Sequence, residues 1–232
     1  MRPRVLPSAL RRALAAAALA LVADPAQSGA WPREPGGGFV SARADLETTH
    51  SGPAASFGLY GEYGLTRRLT LVGQFSNSDQ PFTVSRAAIG LTFALSPLDA
   101  VNRFAIGLGV STPPDLVGVM TQTRLETSLH WGRGFESRFG GGWVTATARL
   151  LFARDEAKPI TDFYGLVGLR PAEGWMTMLS ASRFEDGEGV YYKVSPSVGY
   201  ELRDELWIVP NLSQELTDDR STSVGVSIWF SF

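Results

Sequence analysis

Cysteine is missing from all 232 residues. That excludes a disulfide framework, a thiolate zinc site and a cysteine nucleophile. Histidine is nearly as scarce, with only His50 and His130. No run of apolar residues reaches the roughly 20 needed to span a bilayer as a helix; the eleven residues from Ala13 to Ala23 are too few. Neither sign of charge dominates, with 21 basic and 23 acidic residues. No basic patch and no basic–aromatic platform is present, so nucleic acid is not an expected partner. There is no EF-hand loop, no HExxH and no phosphate-binding glycine loop, so no cofactor or metal is expected.

What is there begins with an export signal. "MRPRVLPSALRR" is basic, Ala13 to Ala23 is small and apolar, and Ser28-Gly29-Ala30 offers small residues for cleavage. These are the three regions of a secretory signal peptide. We assign it to residues 1–30, with the mature chain starting at Trp31; cleavage after Ala23 is the second choice. The mature chain then carries 17 basic and 22 acidic residues.

From there the chain alternates. In "SVGVSIWFSF", Val224, Val226, Ile228, Phe230 and Phe232 share one parity, while Ser223, Gly225, Ser227, Trp229 and Ser231 share the other. A period of two is a strand with one apolar face. About twelve such stretches follow one another, separated by turn-rich spacers such as "LTRR", "RPAEG" and "ELRDE". The spacing predicts an all-β, up-and-down antiparallel meander. "WMTMLSASRF" alternates poorly, and Pro196 and Pro210 interrupt two stretches. Proline cannot donate to a ladder, so these two mark bulges or the limits of hydrogen-bonded spans.

Parity also sorts the charges. Arg43, Asp45, Glu47, Glu62, Arg86, Arg103, Arg124, Glu126, Arg149, Lys193, Glu201 and Glu215 fall on one face, six cationic and six anionic. The other face has almost no charge along the strand centres. A soluble barrel turns its charges outward, and a barrel in lipid turns them inward. The signal peptide and the terminal phenylalanine favour lipid.

The last ten residues resemble the C-terminal signature of Gram-negative outer-membrane β-barrel proteins. Phe232, Phe230 and Ile228, with Val226 and Val224 before them, match its terminal aromatic and alternating apolar positions. The resemblance implies a transmembrane β-barrel over residues 31–232, an outer-membrane location and periplasmic termini. It also implies lipid and lipopolysaccharide as surroundings, and the barrel assembly machinery as the reader of Phe232, Phe230 and Ile228. It implies no substrate.

Catalytic chemistry is thin, and no enzyme is expected. Ser128 and His130 share the polar face, but about 6.6 Å of rise separates them, so no direct hydrogen bond is expected. Asp155/Glu156, Asp218/Asp219 and "EDGEG" offer carboxylates to cations that bridge lipopolysaccharide, though solvated loops are the plainer reading. The inward charges either line a narrow pore or pair to fill the interior, since twelve strands fall between filled barrels of about 8 and channels of 16–18. No loop is long enough to form an obvious plug. The expected role is a small channel or passive transporter for small solutes. The alternatives are a structural or adhesion-type barrel without a pore and, behind it, a lipid-modifying enzyme.

Overall fold

Branched and aromatic residues alternating with serine, threonine and charge make two-faced strands. In the computed structural model these strands close on themselves. The structure describes residues 29–49, 52–78, 86–112, 123–153, 158–187, 189–217 and 221–232. Among them are twelve strands: β1 (Gly38–Thr49), β2 (Gly52–Gly64), β3 (Leu69–Ser78), β4 (Arg86–Ala94), β5 (Asn102–Thr112) and β6 (Arg124–Ser137), then β7 (Gly140–Ala153), β8 (Ile160–Ala172), β9 (Trp175–Glu185), β10 (Val190–Arg203), β11 (Leu206–Glu215) and β12 (Thr222–Ser231). Each pairs antiparallel with its neighbours in sequence, and β12 closes the barrel against β1. Closure pairs Val40 with Phe230 and Ala42 with Ile228. It is finished by two backbone bonds, Gly38 N to Phe232 O at 2.7 Å and Phe232 N to Gly38 O at 3.0 Å.

One end of the barrel holds the described termini and the tight connections at 138–139, 173–174 and 204–205. Such two-residue turns need a positive φ, which Gly174 (70°) and Glu205 (66°) supply. We call this the terminal end and the opposite one the loop end. His50, Asp155, Glu156, Asp218 and Asp219 lie outside the described residues, as do residues 1–28 of the expected signal peptide.

The outward parity carries an apolar band. Leu46 is 67% exposed, Val224 63% and Ile89 57%. Leu91, Leu108, Leu129 and Leu179 continue it around the ring. A monomer in water rarely shows so much contiguous apolar surface; in hydrocarbon it is the expected exterior.

On β7–β9 and β11 the inward parity turns apolar towards the terminal end, whereas β2, β3 and β6 keep Glu62, Thr70 and His130 buried there. Trp143, Leu166, Met176, Met178, Trp207 and Val209 form a buried cluster, with Trp31, Tyr164 and Trp229 packed against it. This explains the weak alternation in β9. Met176 and Met178 point inward like Ser180 and Ser182, because at their level the interior is a hydrophobic core.

The two mid-strand prolines also find their places. Pro196 pairs with Leu179 of β9, and Pro210 with Val226 of β12. Between β10 and β11, however, pairing is recorded at Val194–Gln214, Ser197–Asn211 and Tyr200–Ile208 but not at the proline positions. Both missing donors therefore fall on one seam.

Candidate functional site

The lumen is built by the inward residues of all twelve strands, and it is closed at the terminal end by the chain before β1. Gly36 N donates to Gly64 O and Gly37 N to Glu34 O, both at 2.9 Å, and the preceding residues turn into the barrel. Arg33 N donates to Thr70 Oγ1 at 3.1 Å, and its Nε donates to Glu62 Oε2 at 2.6 Å. Its guanidinium lies 4.8 Å from the centroid of the Phe39 ring. The Trp31 ring occupies the space over Gly132, Ala30 is buried, and Gly29 rests on the imidazole of His130. Beside this segment lies a gap of about 10 Å³, between Trp31, Pro32, Glu62 and Thr70. Reading the loops as too short to plug the lumen overlooked this segment. "WPREPGGG" has no alternation, and nothing local says that it folds inward.

Above the plug are two cavities. The larger, about 380 Å³, is lined by β1–β3 and β8–β12, with Arg43, Asp45, Glu47 and Lys193 among many serines. The smaller, about 220 Å³, is lined by β2–β8, with Arg86, Glu126, Arg149 and Asp162. Both share Tyr60, Gln74 and Tyr164. Tyr60 is on β2 and Tyr164 on β8, half the ring apart, so these rings stand at the divide. The Tyr60 hydroxyl donates to Glu62 Oε1.

The charges are largely paired. Arg43 grips Asp45 with Nε to Oδ2 at 2.6 Å and Nη2 to Oδ1 at 2.8 Å. Arg86 Nη2 reaches Gln74 Oε1 at 2.7 Å and Glu126 Oε2 at 3.5 Å. Arg149 Nη1 lies 3.3 Å from Asp162 Oδ2. Residues two apart on a strand, or facing across a ladder, share a face and meet. Glu215 accepts from the hydroxyls of Thr217 at 2.8 Å and Ser221 at 2.9 Å, and its cross-strand neighbour is Lys193. Arg124 is half-buried near the loop end, opposite Ser111 of β5. Arg103 and Glu201 lie at the terminal end, away from both cavities. Arg103 Nε donates to Ala100 O at 3.4 Å, and Glu201 Oε1 accepts from Glu205 N at 3.3 Å. Asp162 and Arg33 were not singled out from sequence. Asp162 shares the parity of Tyr164, which was the available signal.

One sequence expectation is corrected. Ser128 Oγ lies 2.8 Å from His130 Nε2, and His130 Nδ1 lies 3.1 Å from Thr147 Oγ1. The rise between the two Cα atoms does not limit the side chains, because the imidazole leans back along the strand. Gly107 on β5 faces Ser128 across the ladder, and a Cβ there would collide with Ser128 Oγ. Glycine opens the space for the pair. Two hydroxyls thus satisfy both ring nitrogens. Thr147 stands where a catalytic triad has its carboxylate, so Ser128, His130 and Thr147 form a hydrogen-bonded polar trio on the lumen wall. Among the described residues no group of three or more His, Asp or Glu gathers to hold a metal.

An outward apolar band, a polar-lined lumen, up-and-down closure and tight turns beside the termini define a transmembrane β-barrel of the outer-membrane type. Solved structures share the fold. A KdgM porin superposes with a TM-score of 0.63 at 9% identity, over 84% of this chain and 99% of its own. A NanC porin gives 0.64 at 9%, over 82% and 98%. An outer-membrane channel from Pseudomonas putida F1 gives 0.58 at 11%, over 90% and 99%. Neither a family model nor a curated protein matches the sequence.

Proposed function

We propose that residues 1–30 export the chain to the outer membrane, where the barrel acts as a small passive channel for small polar solutes. The barrel assembly machinery reads Phe232, Phe230 and Ile228, and lipid and lipopolysaccharide surround the apolar band. The observation that carries the channel reading is the polar lumen above the plug, with cavities of about 380 and 220 Å³ that share Tyr60, Gln74 and Tyr164. The fold shared with porins supports it. Arg43, Arg86 and Arg149 each have a carboxylate within 3.5 Å. Mutual neutralisation leaves little net field along the path, which suits neutral or zwitterionic solutes better than ions of one sign.

In this reading the terminal end is periplasmic, and the segment from Trp31 to Gly37 is the gate. A second reading, a structural barrel with no open pore, is favoured by the Trp143–Met176–Trp207 cluster that fills the same end.

Conductance of the refolded protein in planar bilayers separates the two. Brief, small openings with cation and anion permeabilities nearly equal are expected. Trp31→Ala/Arg33→Ala should lengthen them. Silence from both proteins, with each shown to be folded, would leave the structural barrel.

A further inference from the structure

The plug closes the terminal end of the lumen, but the wall offers another way out of the larger cavity. Pro196 is the seventh residue of β10, and Pro210 the fifth of β11, so both lie mid-strand, at the level of the hydrocarbon. In register, Pro196 faces Leu212 and Pro210 faces Val198. Proline has no N–H, so the carbonyls of Leu212 and Val198 lose their ladder donors on this seam. Only the bonds around Ser197–Asn211 remain between the two breaks. The other two strand prolines, Pro53 and Pro171, sit next to strand ends, where little pairing is lost. In lipid, where no water replaces a missing donor, two such breaks side by side weaken this seam of the wall.

The cavity behind the seam is amphipathic in one direction. Ser195, Ser197 and Asn211 line it directly at the seam. Ser195 Oγ donates to Ser213 Oγ at 2.7 Å, a side-chain clasp across the broken ladder. Towards the loop end the lining carries both signs of charge, Arg43 and Lys193 with Asp45 and Glu47; towards the terminal end it carries Leu166, Met178 and Val209. A lipid of the outer leaflet has the same orientation, with its headgroup at the loop end and its chain pointing towards the midplane. It can move sideways into this cavity without turning over. A volume of about 380 Å³ is at the small end of the range for ligand sites, roughly 300–1,000 Å³. That favours one acyl chain over two.

We infer that the β10–β11 seam is a lateral passage through which a single-chain amphiphile with a zwitterionic headgroup passes between the outer leaflet and the larger lumen cavity. The axial channel is a separate route, and neither depends on the other.

The test uses the full barrel in phosphatidylcholine vesicles that contain a lysophosphatidylcholine with a photoreactive diazirine on its chain. Adducts are mapped by peptide mass spectrometry. Adducts on Val198 and Leu212 report contact from outside, and adducts on Leu166, Met178 and Val209 report occupancy of the lumen. The chain has no cysteine, so Ser195→Cys/Ser213→Cys provides one disulfide that locks the seam.

Interior adducts are expected in the wild type. They should fall at least tenfold in the oxidised variant and return on reduction, while exterior adducts persist throughout. Exterior adducts alone in the wild type would overturn the inference. So would interior adducts that survive the lock, since the probe then comes through the aqueous mouth. If the locked variant fails to fold, Pro196→Ala/Pro210→Ala restores both donors and should cut interior labelling about fivefold. Unchanged labelling in that folded variant would also overturn the inference.

Discussion

Arg33 Nε lies 2.6 Å from Glu62 Oε2, and the Glu62 side chain is only 1% exposed. The pair ties the segment before β1 to the inner wall of β2, so it joins closure of the lumen to stability of the fold. Breaking one partner of a buried pair strands the other charge, at about 3–5 kcal/mol. The Tyr60 hydroxyl still bonds Glu62, which places the expected loss for Arg33→Met near the lower limit. Arg33→Met/Glu62→Met should recover most of it. Denaturant unfolding of the refolded barrels in bilayers measures both. Equal stability of the single variant and the wild type would mean that the segment does not dock as described.

Leu91 and Thr92 are neighbours on β4 with opposite fates, the first 42% exposed on the lipid face and the second turned inward. An arginine near the midplane of the lipid face costs about 2–4 kcal/mol. Leu91→Arg should lose that much stability in bilayers, whereas Thr92→Arg should lose far less and should alter conductance. Equal tolerance at the two positions would argue that neither face meets lipid. The reverse order would put the strand out by one residue.

Phe232 has a backbone and a side-chain role at closure. Its N–H and C=O pair with Gly38, and its ring packs over Gly38 and lies 5.9 Å from that of Phe230. Deleting Phe232 should lower the outer-membrane level at least fivefold while leaving refolding in detergent much less affected. The difference measures recognition apart from packing. Outer-membrane levels matching the wild type would defeat the assembly-signal reading.

N-terminal sequencing of the exported protein should begin at Trp31. A chain that starts at Asp24 would carry Gly29 and Ala30 as permanent parts of the plug, against His130. Retention of Ala13 to Ala23 would end the secretory reading.

Alternation made the fold legible before any coordinates. Each strand needs one face for lipid and one for the lumen, and a period of two records that demand residue by residue. Turn residues at each reversal then set the up-and-down order, and parity separated Leu91 from Thr92 without further information. What occupies the lumen is another matter. Parity says that Met176, Ser180, Arg43 and Glu62 point inward, but not which of them meet. Those meetings depend on how the ladders are registered once the barrel closes. Only the closed barrel placed Trp31 over Gly132, brought Arg33 to Glu62 and gave His130 room beside Gly107. It also set Pro196 and Pro210 against the same seam. The physical reason is that facing is a local property of a strand, while filling is a property of the ring.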